Sequence, residues 1–217
     1  MIIDLKLQGK KIVIVGGGNE AQKRINSVLR QDGDITVISE SVNTQIKKLV
    51  KTKKIKLKKQ KITDTKFISV LKPDLIITTT NDKKINSKII NIAKKEKIIA
   101  YSSDNPEESD FSNPAILDFE NIIQIAIFTG GKSPAMSKKI KDQCEYVFKK
   151  IITKEDIAQI KIQEIARNIA KKTISTQDQR KKCLHNIIND NEIDQLIKDG
   201  QIKKAEKRAS IIVRNWK

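Results

Sequence analysis

Cysteine, histidine and aromatic residues are all scarce in this chain, and each shortage removes a class of function. The two cysteines, Cys144 and Cys183, lie far apart with no C-x-x-C between them. That spacing excludes a disulfide scaffold and reads as two reduced thiols in a cytoplasmic protein. The single histidine, His185, sits two residues from Cys183 with no further ligand type nearby, so neither a zinc cluster nor a Cys–His pair is supported. Aromatics make up 4% of the chain and do not interleave with lysine or arginine, which argues against single-stranded nucleic acid as a partner. No apolar run approaches the roughly 18–20 residues that a membrane span needs. The opening MIIDLKLQGKK lacks the charged, apolar, small-residue order of a signal peptide. Acid is short relative to base: 26 Asp and Glu stand against 44 Lys and Arg, a formal charge of +18. Such an excess suits nucleic acid, an anionic membrane face or a polyanionic small molecule. A genome rich in Lys and Ile codons gives the same excess with no function attached.

The most informative stretch that is present is KIVIVGGGNEAQKRINSVL, residues 11–29. A β-branched run meets glycines and then a helical pattern, with the spacing G-x-G-x-x-A at Gly16, Gly18 and Ala21. Gly16 allows a sharp turn off the strand, Gly18 leaves room for a pyrophosphate against main chain, and Ala21 lets the helix lie close to the strand. The N–H groups of Asn19, Glu20 and Ala21 open the helix and face the anion. The segment predicts a dinucleotide site. About 20 positions on, after the next strand, stand Glu40 and Ser41. A carboxylate there grips ribose hydroxyls and repels a 2′-phosphate, which favours NAD over NADP. A surface or helix-capping glutamate is the alternative.

The first hundred residues alternate strand and helix patterns. Strands are expected at 11–15, 35–38, 55–58, 74–78 and 98–101, with helices near 19–31, 42–51, 64–71 and 83–95. Alternation of this kind predicts an α/β fold with a parallel, doubly wound sheet. Gly33 punctuates the first helix and Pro73 the entry to the fourth strand. The segment 47–61 carries nine lysines and no acid, and reads as a solvated helix end followed by an edge strand. Residues 102–114 form a polar loop. The apolar run Ile122–Phe128 reads as a sixth strand, and the turn Thr129-Gly130-Gly131-Lys132-Ser133-Pro134 opens a helix with Ser133 as N-cap and Pro134 at its first position. Met136, Ile140, Cys144, Val147 and Ile151 give that helix its apolar spacing. From about 154 the pattern is helical, breaking near 173–177 and again near Gly200, with Ile157, Ile160, Ile165 and Ile169 on the apolar face.

Asp104 lies just past the fifth expected strand, at the carboxyl end where ligands of such sheets sit. Phe111-x-x-Pro114-Ala115 follows, and then Phe128-Thr129-Gly130-Gly131-Lys132-Ser133-Pro134. Taken in order with the glycine loop, these motifs resemble those of the siroheme-synthase N-terminal module family, the precorrin-2 dehydrogenases and sirohydrochlorin ferrochelatases. The likeness covers residues 1–150 well and the helical tail more loosely.

The resemblance implies a Rossmann-like NAD-binding domain at 1–113, a dimerisation and substrate-binding segment at 114–150, and a small helical C-terminal domain at 151–217, paired as a cytoplasmic homodimer. It implies NAD-dependent oxidation of the tetrapyrrole precorrin-2 to sirohydrochlorin, with ferrous iron as a further substrate in some members. It places catalysis on Asp104, a carboxylate able to take a proton in either step. It places cofactor binding on Gly16, Gly18, Asn19, Glu20, Ala21, Glu40 and Ser41. Substrate binding falls to Thr129, Gly130, Gly131, Lys132 and Ser133, whose backbone N–H groups and lysine suit carboxylates. No resident metal, nucleic acid or membrane is implied, and the methylation that makes precorrin-2 falls to another protein. The chain departs from the family pattern at Ser102 and Ser103, where hydrophobic residues are common, and at Thr129, where some relatives carry serine. The competing function class is an NAD-sensing regulatory module without catalysis, which explains the glycine loop and Glu40 but not the two downstream motifs.

Overall fold

The computed structural model describes residues 2–216. They fall into two compact units, Met1–Asn113 and Pro114–Lys217.

The first unit is a five-stranded sheet: β1 (Lys11–Val15), β2 (Asp34–Ser39), β3 (Lys56–Lys59), β4 (Leu75–Thr78) and β5 (Ile99–Ser102). Every pairing is parallel and the order is β3-β2-β1-β4-β5. The helices are α1 (Asn19–Leu29), α2 (Thr44–Lys51), α3 (Lys66–Leu71) and α4 (Lys83–Lys95). Alternation along the strands decides which face each helix covers. Ile12, Ile14, Ile35, Val37, Leu75 and Ile77 pack with Ala21, Ile25 and Val28 of α1 and Ile46 of α2. Val13, Val15, Ile38, Ile76 and Ala100 pack with Phe67 and Ile68 of α3 and Ile89, Ile90 and Ala93 of α4. Both faces are therefore buried, as a parallel sheet requires. The lysines of β3 are exposed on an edge strand, where charge discourages pairing with another chain. After α1, the left-handed position falls on Asp32 (φ 53°) and not on Gly33. Gly33 is needed for closeness: a Cβ there would meet Ile12 Cδ1 at 2.2 Å.

The second unit begins with an antiparallel pair, β6 (Ala115–Phe119) and β7 (Ile123–Ile127). The apolar run at 122–128 is a strand, as its pattern implies, but it forms a separate hairpin with β6, a strand that the apolar pattern does not mark. Glu120 and Asn121 both take positive φ, 55° and 58°, and the Ile122 N–H donates to the Phe119 carbonyl at 3.0 Å. That is the primed turn whose twist suits a hairpin. The helices α5 (Pro134–Ile151), α6 (Lys154–Thr173), α7 (Gln177–Ile188), α8 (Asn191–Lys198) and α9 (Ile202–Arg214) follow. The break between α7 and α8 was not read, because Asp190 caps α8 inside an uninterrupted apolar rhythm; its carboxylate accepts from the Ile193 N–H at 2.8 Å. The buried face of α6 runs through Ile157, Ile162, Ala166 and Ala170, and Ile160 is exposed. Ile162, Ala166 and Ala170 join Cys183, Ile187, Ile193, Ala205, Ala209 and Val213 in an apolar core.

Candidate active site

The register of the parallel sheet brings the dinucleotide signals and Asp104 to one edge. Val15 stands opposite Ile38 on β2 and Thr78 on β4, and Thr78 stands opposite Ser102 on β5. The next residues on each strand, Gly16, Ser39, Thr79 and Ser103, therefore line the carboxyl edge. The chain order reverses between β1 and β4, and that switch point is where ligands of such sheets bind. Glu40 follows β2 and Asp104 follows β5, three strand spacings apart, or about 14 Å along the edge.

Gly16 has no substitute here. Its φ is 120°, and a Cβ would meet Thr79 Oγ1 at 2.3 Å. Thr79 is held against β1, its N–H and hydroxyl both donating to the Val15 carbonyl, at 2.8 and 2.9 Å. Gly17 is equally confined, since a Cβ would lie 2.0 Å from the Ser41 carbonyl. Gly18 differs: nothing lies within 4 Å of its would-be Cβ. It is the N-cap of α1 and provides no side-chain cap. Asn43, Asp82, Ser133, Thr153, Thr176 and Asp190 each cap their own helix with a side chain. The opening N–H groups of α1 thus have no side-chain acceptor from their N-cap, and the space beside Gly18 is open, an arrangement that suits a pyrophosphate. A further sign of a missing partner is Ser103 Oγ, buried at the same edge with no hydrogen bond. The residues present fit a dinucleotide.

Asn19, Glu20 and Ala21 form the first turn of α1. Ala21 is fully buried beneath it. The Glu20 carboxylate pairs with Lys23 and Arg24. Burial pushes its pKa up, but Arg24 and Lys23 outweigh that and hold it below the usual range. The Glu20 charge is thus paired locally by Lys23 and Arg24. Glu40 and Ser41 are exposed. The Ser41 carbonyl accepts from the Ser39 hydroxyl at 2.7 Å, and the Asn43 N–H donates to the Gly17 carbonyl at 3.0 Å, which draws this loop onto the glycines.

Asp104 is held by Ser102 and by Asn86, a residue that no motif marks. Its Oδ1 accepts from Asn86 Nδ2 at 2.8 Å and from Ser102 Oγ at 2.8 Å. Ser102, the apparent departure from the family pattern, is thus a ligand of the carboxylate. The period-2 alternation of β5 gave no warning, because a buried serine and a buried alanine look alike in pattern.

In the second unit, the turn after β7 has Gly130 and Gly131 at φ 65° and 76°. The Thr129 and Ser133 side chains are used within it. Thr129 Oγ1 accepts from the Ser133 N–H at 3.3 Å and pairs with Ser137 Oγ at 3.0 Å, while Ser133 Oγ accepts from the Met136 N–H at 3.2 Å. Gly130, Gly131 and Lys132 are exposed. Among the described residues, no group of three His, Cys, Asp or Glu is placed to hold a metal ion, and no helix is long and apolar enough to cross a membrane. Cys183 is buried among α6–α9, and burial pushes its thiol pKa up, so it stays protonated and inert.

Known proteins are similar to this chain in sequence and in fold. A family model described as "Putative NAD(P)-binding" matches residues 3–115. A protein of Methanocaldococcus jannaschii named "Putative precorrin-2 dehydrogenase" is 29% identical, over 89% of this chain and 92% of its own. A siroheme synthase of Psychromonas ingrahamii is 26% identical over 92% of this chain, which spans only 41% of that protein. A solved structure titled "SirC, precorrin-2 dehydrogenase" superposes with a TM-score of 0.70 at 22% identity, covering 96% of this chain and 99% of its own.

Proposed function

The chain belongs to the NAD(P)-binding family whose model matches residues 3–115, and on that premise we propose that it is an NAD-dependent precorrin-2 dehydrogenase of the siroheme-synthase N-terminal module type. The observation that carries the reading is the shared edge: an open, uncapped glycine turn and an anchored aspartate stand at the carboxyl ends of strands of one parallel sheet.

Precorrin-2 becomes sirohydrochlorin by losing two hydrogens, one as a hydride and one as a proton. Bound NAD supplies the hydride acceptor. The backbone at Gly16, Gly18, Asn19, Glu20 and Ala21 receives the pyrophosphate, and Glu40, beside Ser41, accepts the ribose hydroxyls. A carboxylate at that place selects NAD, because a 2′-phosphate would meet like charge. Asp104 is the base. Its Oδ1 is occupied by two donors, so the departing proton goes to Oδ2. Gly130, Gly131 and Lys132 bind substrate carboxylates, while Thr129 and Ser133 shape the turn that presents them. In ferrous-iron insertion the same aspartate would receive the pyrrole N–H protons.

The protein works in the cytoplasm as a homodimer, with 1–113 as the NAD domain, 114–150 as the pairing and substrate segment, and 151–217 as the helical domain. The support for pairing is an apolar stripe left uncovered: Ile116, Phe128, Met136, Tyr146, Val147 and Ile151 are all exposed.

The test is anaerobic incubation with precorrin-2 and NAD, and separately with NADP. NADH and sirohydrochlorin should form together in equal amounts, with NADP the poorer cofactor. Tight NAD binding without turnover would overturn the dehydrogenase reading and favour a sensor.

A further inference from the structure

Among the described residues, four non-aromatic polar residues are buried as a whole: Thr78, Asn86, Ser102 and Ser137. Two of them, Ser102 and Asn86, converge on one oxygen of Asp104, and a third, Thr78, backs Ser102. Ser102 Oγ donates to Oδ1 at 2.8 Å and itself accepts from Thr78 Oγ1 at 3.1 Å. Asn86 Nδ2 donates to the same oxygen at 2.8 Å and to the Thr80 carbonyl at 2.9 Å, while its Oδ1 accepts from Thr80 Oγ1 at 2.6 Å. These partners fix the polarity of the whole network. Turning the Asn86 amide over would set its oxygen against both a carboxylate and a carbonyl. The Ser102 hydroxyl has one proton, and with Thr78 donating to it, that proton goes to Asp104.

Burying three uncharged polar groups at the end of a parallel sheet is costly unless every bond is made. Thr78 and Ser102 lie directly opposite in the β4–β5 register, and Asn86 reaches in from the first turn of α4. An apolar trio would serve the fold at least as well.

We propose that Ser102, with Thr78 behind it, and Asn86 are positioning residues that aim Asp104: they hold Oδ1 as a fixed acceptor and leave Oδ2 as the only proton-accepting oxygen. This rests on the reading of Asp104 as the base.

A double-mutant cycle tests it on the full-length protein, with precorrin-2 and NAD. Ser102→Ala removes one donor, and should lower kcat about 10–100-fold while leaving the KM for both substrates within about twofold. Placed on Asp104→Ala it should lower turnover no further. Thr78→Val/Ser102→Ala removes both hydroxyls and keeps the packing, so it provides the same comparison if the single variant folds poorly. Ser102→Thr restores the hydroxyl and should recover most of kcat. Equal losses with and without Asp104 would overturn the proposal, since a purely structural role acts in both backgrounds. If Asp104→Ala is slow but Ser102→Ala is not, the positioning role alone fails. If Asp104→Ala keeps full turnover, the base assignment fails and this inference with it.

Discussion

The sheet unit buries three polar side chains at its carboxyl edge, whereas α6–α9 bury none among the described residues. Both regions make well-packed apolar cores, but they spend polar groups differently. At the sheet edge the buried polar groups bond one another and fix a carboxylate. In the helices they sit at the rim as caps and ion pairs, such as the Thr153–Asp156 capping box and the Asp190–Arg208 pair. The difference separates the two kinds of damage a substitution does. Changes at the edge should strike chemistry, with or without a loss of stability, and changes at the helical rim stability alone. The fourth buried polar residue, Ser137, fits this division, because it braces Thr129 beneath the proposed substrate turn.

Substitutions on each side sharpen or break that contrast. The largest effect belongs to Gly16→Ala. Its Cβ meets Thr79 at a backbone angle that disfavours any side chain. It should cost about 1–3 kcal/mol of stability and abolish measurable NAD binding in a calorimetric titration. Next comes Asp190→Ala, which loses an N-cap and two bonds from Arg208 at 2.7 and 2.8 Å. It should cost about 1–3 kcal/mol in urea unfolding while kcat is kept. The Arg208 bonds, opposed by partial burial, hold the Asp190 pKa below its usual 3.8. A depressed carboxylate pKa stabilises above the unfolded value and loses its effect as pH falls through the folded one. The wild-type advantage over this variant should therefore be whole at neutral pH and shrink below about pH 4. Glu40→Ala is a smaller change, raising the KM for NAD about tenfold and that for NADP little, as steady-state rates would show. Smallest is Lys58→Gln on the exposed edge strand, within about 0.5 kcal/mol in stability and silent in turnover. A catalytic loss at Asp190, or none at Gly16, would break the division.

The sequence pattern reveals the parallel sheet because β-branched runs, glycine turns and helical periods are local signals. The glycine loop, Glu40 and Asp104 are visible for the same reason. What holds Asp104 is only partly local: Ser102 is two residues away, but Thr78 reaches Ser102 across 24 residues through the strand register, and Asn86 reaches Asp104 across 18 from α4. Ser102 even looked like a flaw in the motif. β6 was hidden because its pairing depends on two non-glycine residues, Glu120 and Asn121, taking positive φ. The outward aim of Met136, Val147 and Ile151 was equally hidden, since an apolar stripe has the same period whether it faces its own core or another molecule.

The most direct measurement is the rate of NADH formation from precorrin-2 in Asp104→Asn, taken beside its NAD affinity. The amide keeps the size and the acceptor oxygen but cannot take the proton. NAD affinity should stay within about threefold of wild type while NADH formation falls roughly 10²–10⁴-fold. Unchanged NADH formation in a protein that still binds NAD would contradict the assignment of Asp104 as the base.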